Sequence, residues 1–222
     1  MTQLYLIRHC EAEGNSKGLL QGSIDLDITE TGARQLEYLG KRFENIHLDR
    51  IYSSPLIRTQ KTAHAVADRK GLDVEIYDGL RELDCGIFEG IPFAEIFEKY
   101  PEFREMWLEH PQDINPEGGE PMRVTYERIW EAVVDIARQN PDKTVACATH
   151  GGVTRCLLCR LLFGSIERLK DTGWTDNTAV TLLEFDEELN PRIVFLNDSS
   201  HVPVEFMPKR SKIASYAKEE NK

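Results

Sequence analysis

Arg8 and His9 stand side by side at the end of a short apolar run, Leu4-Tyr5-Leu6-Ile7, and Glu11 and Asn15 follow at once. A strand that ends in Arg-His places a permanent cation beside a neutral imidazole. The planar guanidinium can grip a phosphate, and the imidazole nitrogen can attack phosphorus. The pair therefore suits phosphoryl transfer. Taken alone, Arg-His at a strand end more often marks a solvated loop, so its weight depends on what the rest of the chain brings to it.

Strand-like and helix-like segments alternate along the sequence, which predicts an α/β fold with a mainly parallel sheet. Residues 4–7 read as the first strand. Thr29 can cap a helix over 30–45. A short strand is expected at 50–53, after which Ser54-Pro55 opens a helix that runs to about Lys70, with Gly71 placed to end it. Further strands are expected at 74–77 and at 144–149, the latter broken by His150-Gly151-Gly152. The helix that follows ends near Phe163-Gly164, and 179–185 and 192–196 read as a closing hairpin. The stretch 90–140 differs: it holds aromatic, acidic helices and reads as a helical insertion or lid over the sheet's carboxyl edge. The tail, 209–222, is polar. The expected architecture is one domain over 1–222, a three-layer sandwich with helices on both faces of the sheet.

In open α/β sheets, ligands bind outside the carboxyl ends of the strands. Arg8 and His9 follow the first strand, Arg58 the second, Glu82 the third and His150 the fourth. Phosphoryl transfer needs charge stabilisation and positioning above all. Arg8 and Arg58 can hold phosphate oxygens. A neutral His9 supplies the attacking nitrogen, and a protonated His150 adds positive charge. A helix opening at Gly151 can point free backbone N–H groups at the anion. Glu82 can protonate the leaving oxygen and then take a proton from water, a task that needs burial or neighbouring negative charge. Asp84 and Glu89 are its rivals.

The motifs LIRHCEAEGN, QGSIDLDITETGARQ, SSPLIRTQKTA, LRELDCGIFEG and ATHGGV, with NTAVTLLEF more weakly after them, occur in the order found in the histidine phosphatase (phosphoglycerate mutase-like) superfamily. The chain resembles that superfamily, phosphatase branch. The resemblance implies that His9 carries the phosphoryl group, that Glu82 is the proton donor, and that Arg8, Arg58 and His150 complete the phosphate pocket. It also implies that Asn15 and Gln21 line the pocket. Gln21-Gly22 and the acid block look like the phosphatase members. The implied function is a phosphomonoesterase acting on a small phosphorylated metabolite through a phosphohistidine. A cofactor-dependent phosphoglycerate mutase and a non-catalytic phospho-ligand module are the alternatives. No cofactor is implied. The superfamily usually has Gly after the nucleophile, where this chain has Cys10.

The 222 residues are 41% hydrophobic with a net charge of -11. That suits one globular core and argues against a nucleic-acid partner or an anionic membrane. The N-terminal MTQLYLIRH is too short and polar for a signal peptide. The five cysteines, Cys10, Cys85, Cys147, Cys156 and Cys159, lack framework spacing, so reduced thiols in a cytoplasm are expected. Cys156 and Cys159 read as core packing of a helix rather than a redox pair. Cys10 and Cys85 read as inert small residues; the sharper alternative makes them reactive thiolates beside a cationic pocket. A metal site made from His9, His150 and a carboxylate is disfavoured by the two arginines. His47, His64 and His110 read as structural or solvated, and His201 is ambiguous. The aromatic run Phe93, Phe97, Tyr100, Phe103, Trp107 reads as core or lid packing. Both a monomer and a homodimer fit these features.

Overall fold

The computed structural model describes residues 1–207, so the polar tail lies outside the described residues. In chain order the elements are β1 (Thr2–Arg8), α1 (Glu13–Lys17), α2 (Glu30–Phe43), β2 (Arg50–Ser53), α3 (Ile57–Ala67), β3 (Val74–Ile76), α4 (Phe93–Lys99), α5 (Pro101–Glu109), α6 (Met122–Gln139), β4 (Thr144–Thr149), α7 (Gly151–Phe163), β5 (Val180–Phe185) and β6 (Pro191–Asp198). They build one six-stranded sheet in the order β3-β2-β4-β1-β5-β6. The pairings among β3, β2, β4 and β1 are parallel, while β5 and β6 join antiparallel. The expected α/β sandwich and the closing hairpin are both present.

The central strands are buried on both faces, as their near-continuous apolar sequence requires. On one face Leu4, Leu6, Val145, Cys147 and Leu183 share a core with Ile129 and Val133 of α6 and with Val153 and Leu157 of α7. On the other face Ile7, Ile51, Ala146, Ala148 and Val180 pack against Leu39 and Phe43 of α2 and Ala63 and Val66 of α3. Burying each such leucine contributes about 1.5–3 kcal/mol.

Three local readings need correction. Ser54-Pro55 does not open α3, which starts at Ile57 with Leu56 in the cap position. Ser54 is engaged by a histidine instead, as described below. α3 also stops at Ala67 rather than Lys70, and Gly71 takes the left-handed conformation (φ 65°) just beyond the turn that follows. The 90–140 segment divides in two. α4 and α5 are broken apart at Tyr100-Pro101, and they pack through their aromatic residues, Phe93 on Trp107 at 5.0 Å, while Phe103 of α5 lies against Phe88, ahead of α4, at 4.3 Å. α6, by contrast, is a full member of a helical layer, with Ile129, Val133 and Ile136 facing the sheet. Its amphipathic spacing shows that one face is buried, but not what buries it.

Thr29 caps α2 as expected: its side chain accepts from the Gly32 N–H at 3.0 Å. Gly32 has no room for a methyl group, which would sit 2.1 Å from the Glu11 carbonyl oxygen. The start of α2 therefore lies directly against the loop that follows β1.

Candidate active site

β1 and β4 are parallel neighbours in a register that pairs Arg8 with Thr149. The residues just beyond, His9 and His150, are consequently brought together with ring centroids 5.3 Å apart. Both are almost wholly buried. His9 Nδ1 lies 2.6 Å from the Cys10 carbonyl oxygen. A carbonyl only accepts, so Nδ1 carries the ring proton and Nε2 keeps its lone pair. Burial, then Arg58, then Arg8 hold the His9 imidazole well below the ordinary histidine pKa. The ring is neutral at physiological pH and its Nε2 is available to attack an electrophile.

His150 is held down in the same way, by burial, Arg58, His9 and Arg8. Burial first, and then the neighbouring arginines, thus disfavour the positive charge expected on this ring. Its Nε2 lies 2.7 Å from Ser54 Oγ. Ser54 Oγ accepts from the Leu56 N–H at 3.2 Å, and the nearby Thr59 hydroxyl donates to the Leu56 carbonyl at 2.6 Å. Thr59 Oγ1 also lies 3.1 Å from Ser54 Oγ, so the Ser54 hydroxyl has two acceptors within reach, and its donation to Nε2 corresponds to the tautomer with the imidazole proton on Nδ1. Nδ1 is buried with no hydrogen-bond partner. In that tautomer His150 offers a neutral N–H donor.

The two arginines are not free forks. Arg58 is fully buried and donates from Nη1 to the Ile24 carbonyl at 2.8 Å and from Nη2 to the Gly22 carbonyl at 2.7 Å. Arg8 donates from Nη1 to the Thr175 carbonyl. In both, Nε is buried without a partner. Each guanidinium is aimed by backbone carbonyls, leaving donors over. Buried polar nitrogens without partners are costly, and three of them, on Arg8 at the end of β1, Arg58 beyond β2 and His150 after β4, lie at the same edge of three neighbouring strands. A methyl at Gly151 would lie 3.1 Å from Arg8 Nε, so the glycine lets the guanidinium reach the start of α7.

Glu82 is buried beside them. Its carboxyl oxygens accept from the Gly152 N–H at 2.9 Å, the Val153 N–H at 3.0 Å and its neighbour Leu83 N–H at 3.1 Å. The first turn of α7, which begins just after His150, thus fixes the acid next to the second histidine. Of its rivals, Glu89 is used up in bracing loops: it accepts from Ser23 and Cys85 N–H on Oε1, at 2.8 and 2.9 Å, and from Ile24 N–H on Oε2. Asp84 accepts from the Gly86 N–H.

Residues 4–199 match the histidine phosphatase superfamily (branch 1). The chain belongs to the histidine phosphatase superfamily. Phosphoserine phosphatase 1 of Hydrogenobacter thermophilus is 34% identical over 202 residues, covering 91% of this chain and 95% of its own. Among solved structures, YhfR of Bacillus stearothermophilus superimposes with a TM-score of 0.86 at 30% identity, over 91% of this chain and all of that one. A phosphoserine phosphatase mutant from Entamoeba histolytica, in complex with phosphoserine, superimposes with a TM-score of 0.80 at 26% identity, with 91% and 100% coverage. These relatives agree with the phosphomonoesterase activity expected from the motifs.

In this histidine phosphatase the remaining expected residues lie on the segment between β1 and α2. Asn15 Oδ1 accepts from the Ala12 N–H at 3.0 Å, fixing the amide at the start of α1. Gln21 Oε1 is buried without a partner and lies over Gly14, where a methyl would come within 2.3 Å of it. Gly22 gives its carbonyl to Arg58 and packs on the acid loop, 2.2 Å separating its absent methyl from the Leu83 carbonyl oxygen.

The sequence reading missed the contribution of β5. That strand runs antiparallel to β1, so its beginning, not its end, lies at the catalytic edge. Asn177 Nδ2 donates to the His9 carbonyl at 3.0 Å and reaches Asn15 Oδ1 at 3.5 Å. Thr178, a buried β-branched residue at φ 57°, donates its N–H to the Arg8 carbonyl at 3.1 Å. Such a residue in the left-handed region is strained, and the strain sits where the chain wraps the loop that carries His9. The only signal for it was the weak NTAVTLLEF motif.

Cys10 does not face the crevice. Its thiol packs between Thr62 of α3 and Gly32 of α2, and burial pushes it up to about 12. Burial pushes Cys85 well above the ordinary thiol value too. The thiolate alternative is overturned for both. All five cysteines are buried and free, including Cys156 and Cys159.

Proposed function

We propose that the protein hydrolyses small phosphate monoesters in two steps through a phosphohistidine on His9. The observation that carries this reading is the 2.6 Å bond from His9 Nδ1 to the Cys10 carbonyl, which leaves Nε2 unprotonated among cationic and N–H donors. In the first step Nε2 attacks phosphorus and the ester P–O bond breaks. Arg8, Arg58 and the His150 Nδ1–H take the phosphoryl oxygens, stabilising charge that spreads over them in the transition state. Glu82 gives its proton to the leaving oxygen. In the second step Glu82 takes a proton from water, whose oxygen attacks phosphorus and releases His9. Asn15 and Gln21 border the oxyanion and limit its orientation.

Phosphoserine is the first substrate to test, because the relatives named phosphoserine phosphatase align over nine-tenths of this chain. A reducing cytoplasm suits the five free cysteines. No helix among the described residues is long and apolar enough to cross a membrane.

The test is rapid mixing with labelled phosphoserine and an alkaline quench. Wild type should carry acid-labile, alkali-stable label and His9→Ala none. Label of that kind on His9→Ala would sink the assignment. A wider panel should include 3-phosphoglycerate with and without 2,3-bisphosphoglycerate. Phosphoglycerate isomerisation without phosphate release would replace the hydrolase by a mutase.

A further inference from the structure

Arg128 lies on α6, outside every motif that identifies the site, and its guanidinium is nearly saturated. Nε donates to Glu120 Oε1 at 2.9 Å and Nη2 to Glu120 Oε2 at 2.7 Å, a two-bond pairing of fork to carboxylate. Nη1 donates to the carbonyls of Gly79 at 3.0 Å and Arg81 at 2.8 Å, and Nη2 also reaches the Glu82 carbonyl at 3.3 Å. Three of the four carbonyls from residue 79 to residue 82 are thus held by one side chain, and the acid's own carbonyl is among them. The fourth, of Leu80, takes the Thr149 hydroxyl at 2.7 Å. The Arg128 and Glu120 side chains are only 14% and 10% exposed, so water competes weakly for these bonds.

Glu120 is itself fixed. Thr125 Oγ1 donates to its Oε2 at 2.8 Å, and its N–H donates to the Asp84 carbonyl at 2.9 Å. Burial pushes its carboxyl up, but the Arg128 hydrogen bond and charge outweigh this and hold it below its ordinary value. The acid is therefore gripped from two sides. The first turn of α7 holds the Glu82 carboxylate, and Arg128 holds the backbone that carries it.

We propose that Arg128, locked by Glu120, is the positioning residue for proton transfer by Glu82. Arg128 touches neither substrate nor phosphoryl group. It fixes the Gly79–Glu82 backbone so that the Glu82 carboxyl stays within hydrogen-bond reach of the leaving oxygen as the P–O bond breaks. This inference rests on the role given to Glu82 above. Lysine cannot replace Arg128, because one ammonium cannot serve a carboxylate and three carbonyls in a planar array.

A misplaced acid hurts only reactions that need the acid. Turnover of an alkyl phosphate, phosphoserine, should fall about 10–100-fold in Arg128→Lys, part of the roughly 100–10,000-fold that a positioned general acid contributes. Turnover of p-nitrophenyl phosphate, whose leaving group needs little protonation, should change less than about threefold. KM should move little for either. In a Glu82→Gln background, Arg128→Lys should add almost nothing to the alkyl loss, because both changes remove the same proton transfer. Glu120→Gln, which keeps the shape of the partner but removes its charge, should show a weaker loss of the same alkyl-selective kind. It also stands in should Arg128→Lys fold poorly by circular dichroism. Equal losses for alkyl and aryl substrates, or no loss for either, would overturn the proposal. Should Glu82→Gln itself lack selectivity for alkyl phosphates, the role of Glu82 falls first. Should Glu82→Gln be selective and both Arg128→Lys and Glu120→Gln not, only the positioning role falls.

Discussion

Ser54 Oγ and His150 Nε2 lie 2.7 Å apart, a contact that bears on which nitrogen of the second histidine carries the proton. Ser54 follows β2 and His150 follows β4, adjacent parallel strands whose register pairs Ser53 with Ala148. The hydroxyl that gives its proton to Nε2 leaves Nδ1–H as the donor. Ser54→Ala removes this selection. A neutral hydrogen bond is worth about 1 kcal/mol, so kcat should fall roughly fivefold to tenfold. The imidazole nitrogen shifts of labelled His150 should change from one dominant tautomer to a mixture. An unaltered spectrum would contradict the proton placement.

The two buried imidazoles should make the fold acid-sensitive. Burial, Arg58 and Arg8 keep both well below the ordinary histidine value. The unfolded chain therefore binds more protons than the folded one below about pH 6.5, so stability is present above that pH and is lost as pH falls through it. Urea unfolding midpoints measured between about pH 7 and about pH 5 provide the check. His201, pushed down to about 4 by burial and Arg42, adds to the same slope. Stability that does not fall between about pH 7 and about pH 5 would refute this account.

Glu82→Gln should cost an alkyl phosphate about 100–10,000-fold and an activated aryl phosphate much less. Gly152→Ala offers an independent route to the same step. A methyl there would sit 2.7 Å from Glu82 Oε1, in the turn whose N–H groups hold the carboxylate. It should reproduce the alkyl-selective loss in weaker form, roughly tenfold. Parallel kinetics on phosphoserine and p-nitrophenyl phosphate provide the check. A Gly152→Ala enzyme that loses both activities alike would show that the turn serves the phosphate rather than the acid.

The ends of the parallel strands were the most legible part of this sequence. Arg8, His9 and His150 end or directly follow an apolar run, Arg58 stands in the first turn of the helix after another, and a parallel sheet must deliver such residues to one edge. Asn177 and Thr178 escaped because β5 is antiparallel, so its catalytic-edge residues precede the strand instead of following it. Ser54 was misread because a serine before proline is equally suited to capping a helix and to holding an imidazole. Only the three-dimensional neighbour, His150, separates the two uses. Arg128 left no local mark at all. An arginine on an amphipathic helix reads as solvated until the loop that it clamps is folded against it.

Cys10 gives the clearest case of adjacency in sequence failing to predict exposure in space. It follows the nucleophile, yet its N–H donates to Thr62 Oγ1 at 3.1 Å and its side chain is fully buried. A methyl on Gly32 would come within 3.3 Å of its sulfur, so α2 closes over it. With the thiol pushed up to about 12 by burial, almost no thiolate exists at pH 8. Iodoacetamide should therefore leave Cys10 unmodified in the native enzyme over a period that fully alkylates the denatured chain, as read by peptide mass spectrometry. Bound phosphate should make no difference. Cys10→Gly should not gain resistance; it empties a packed site and loosens the loop, with an expected loss of about 1–2 kcal/mol in stability. Rapid inactivation through Cys10 that phosphate blocks would show that the thiol reaches the crevice after all, and would require the loop after His9 to open in solution.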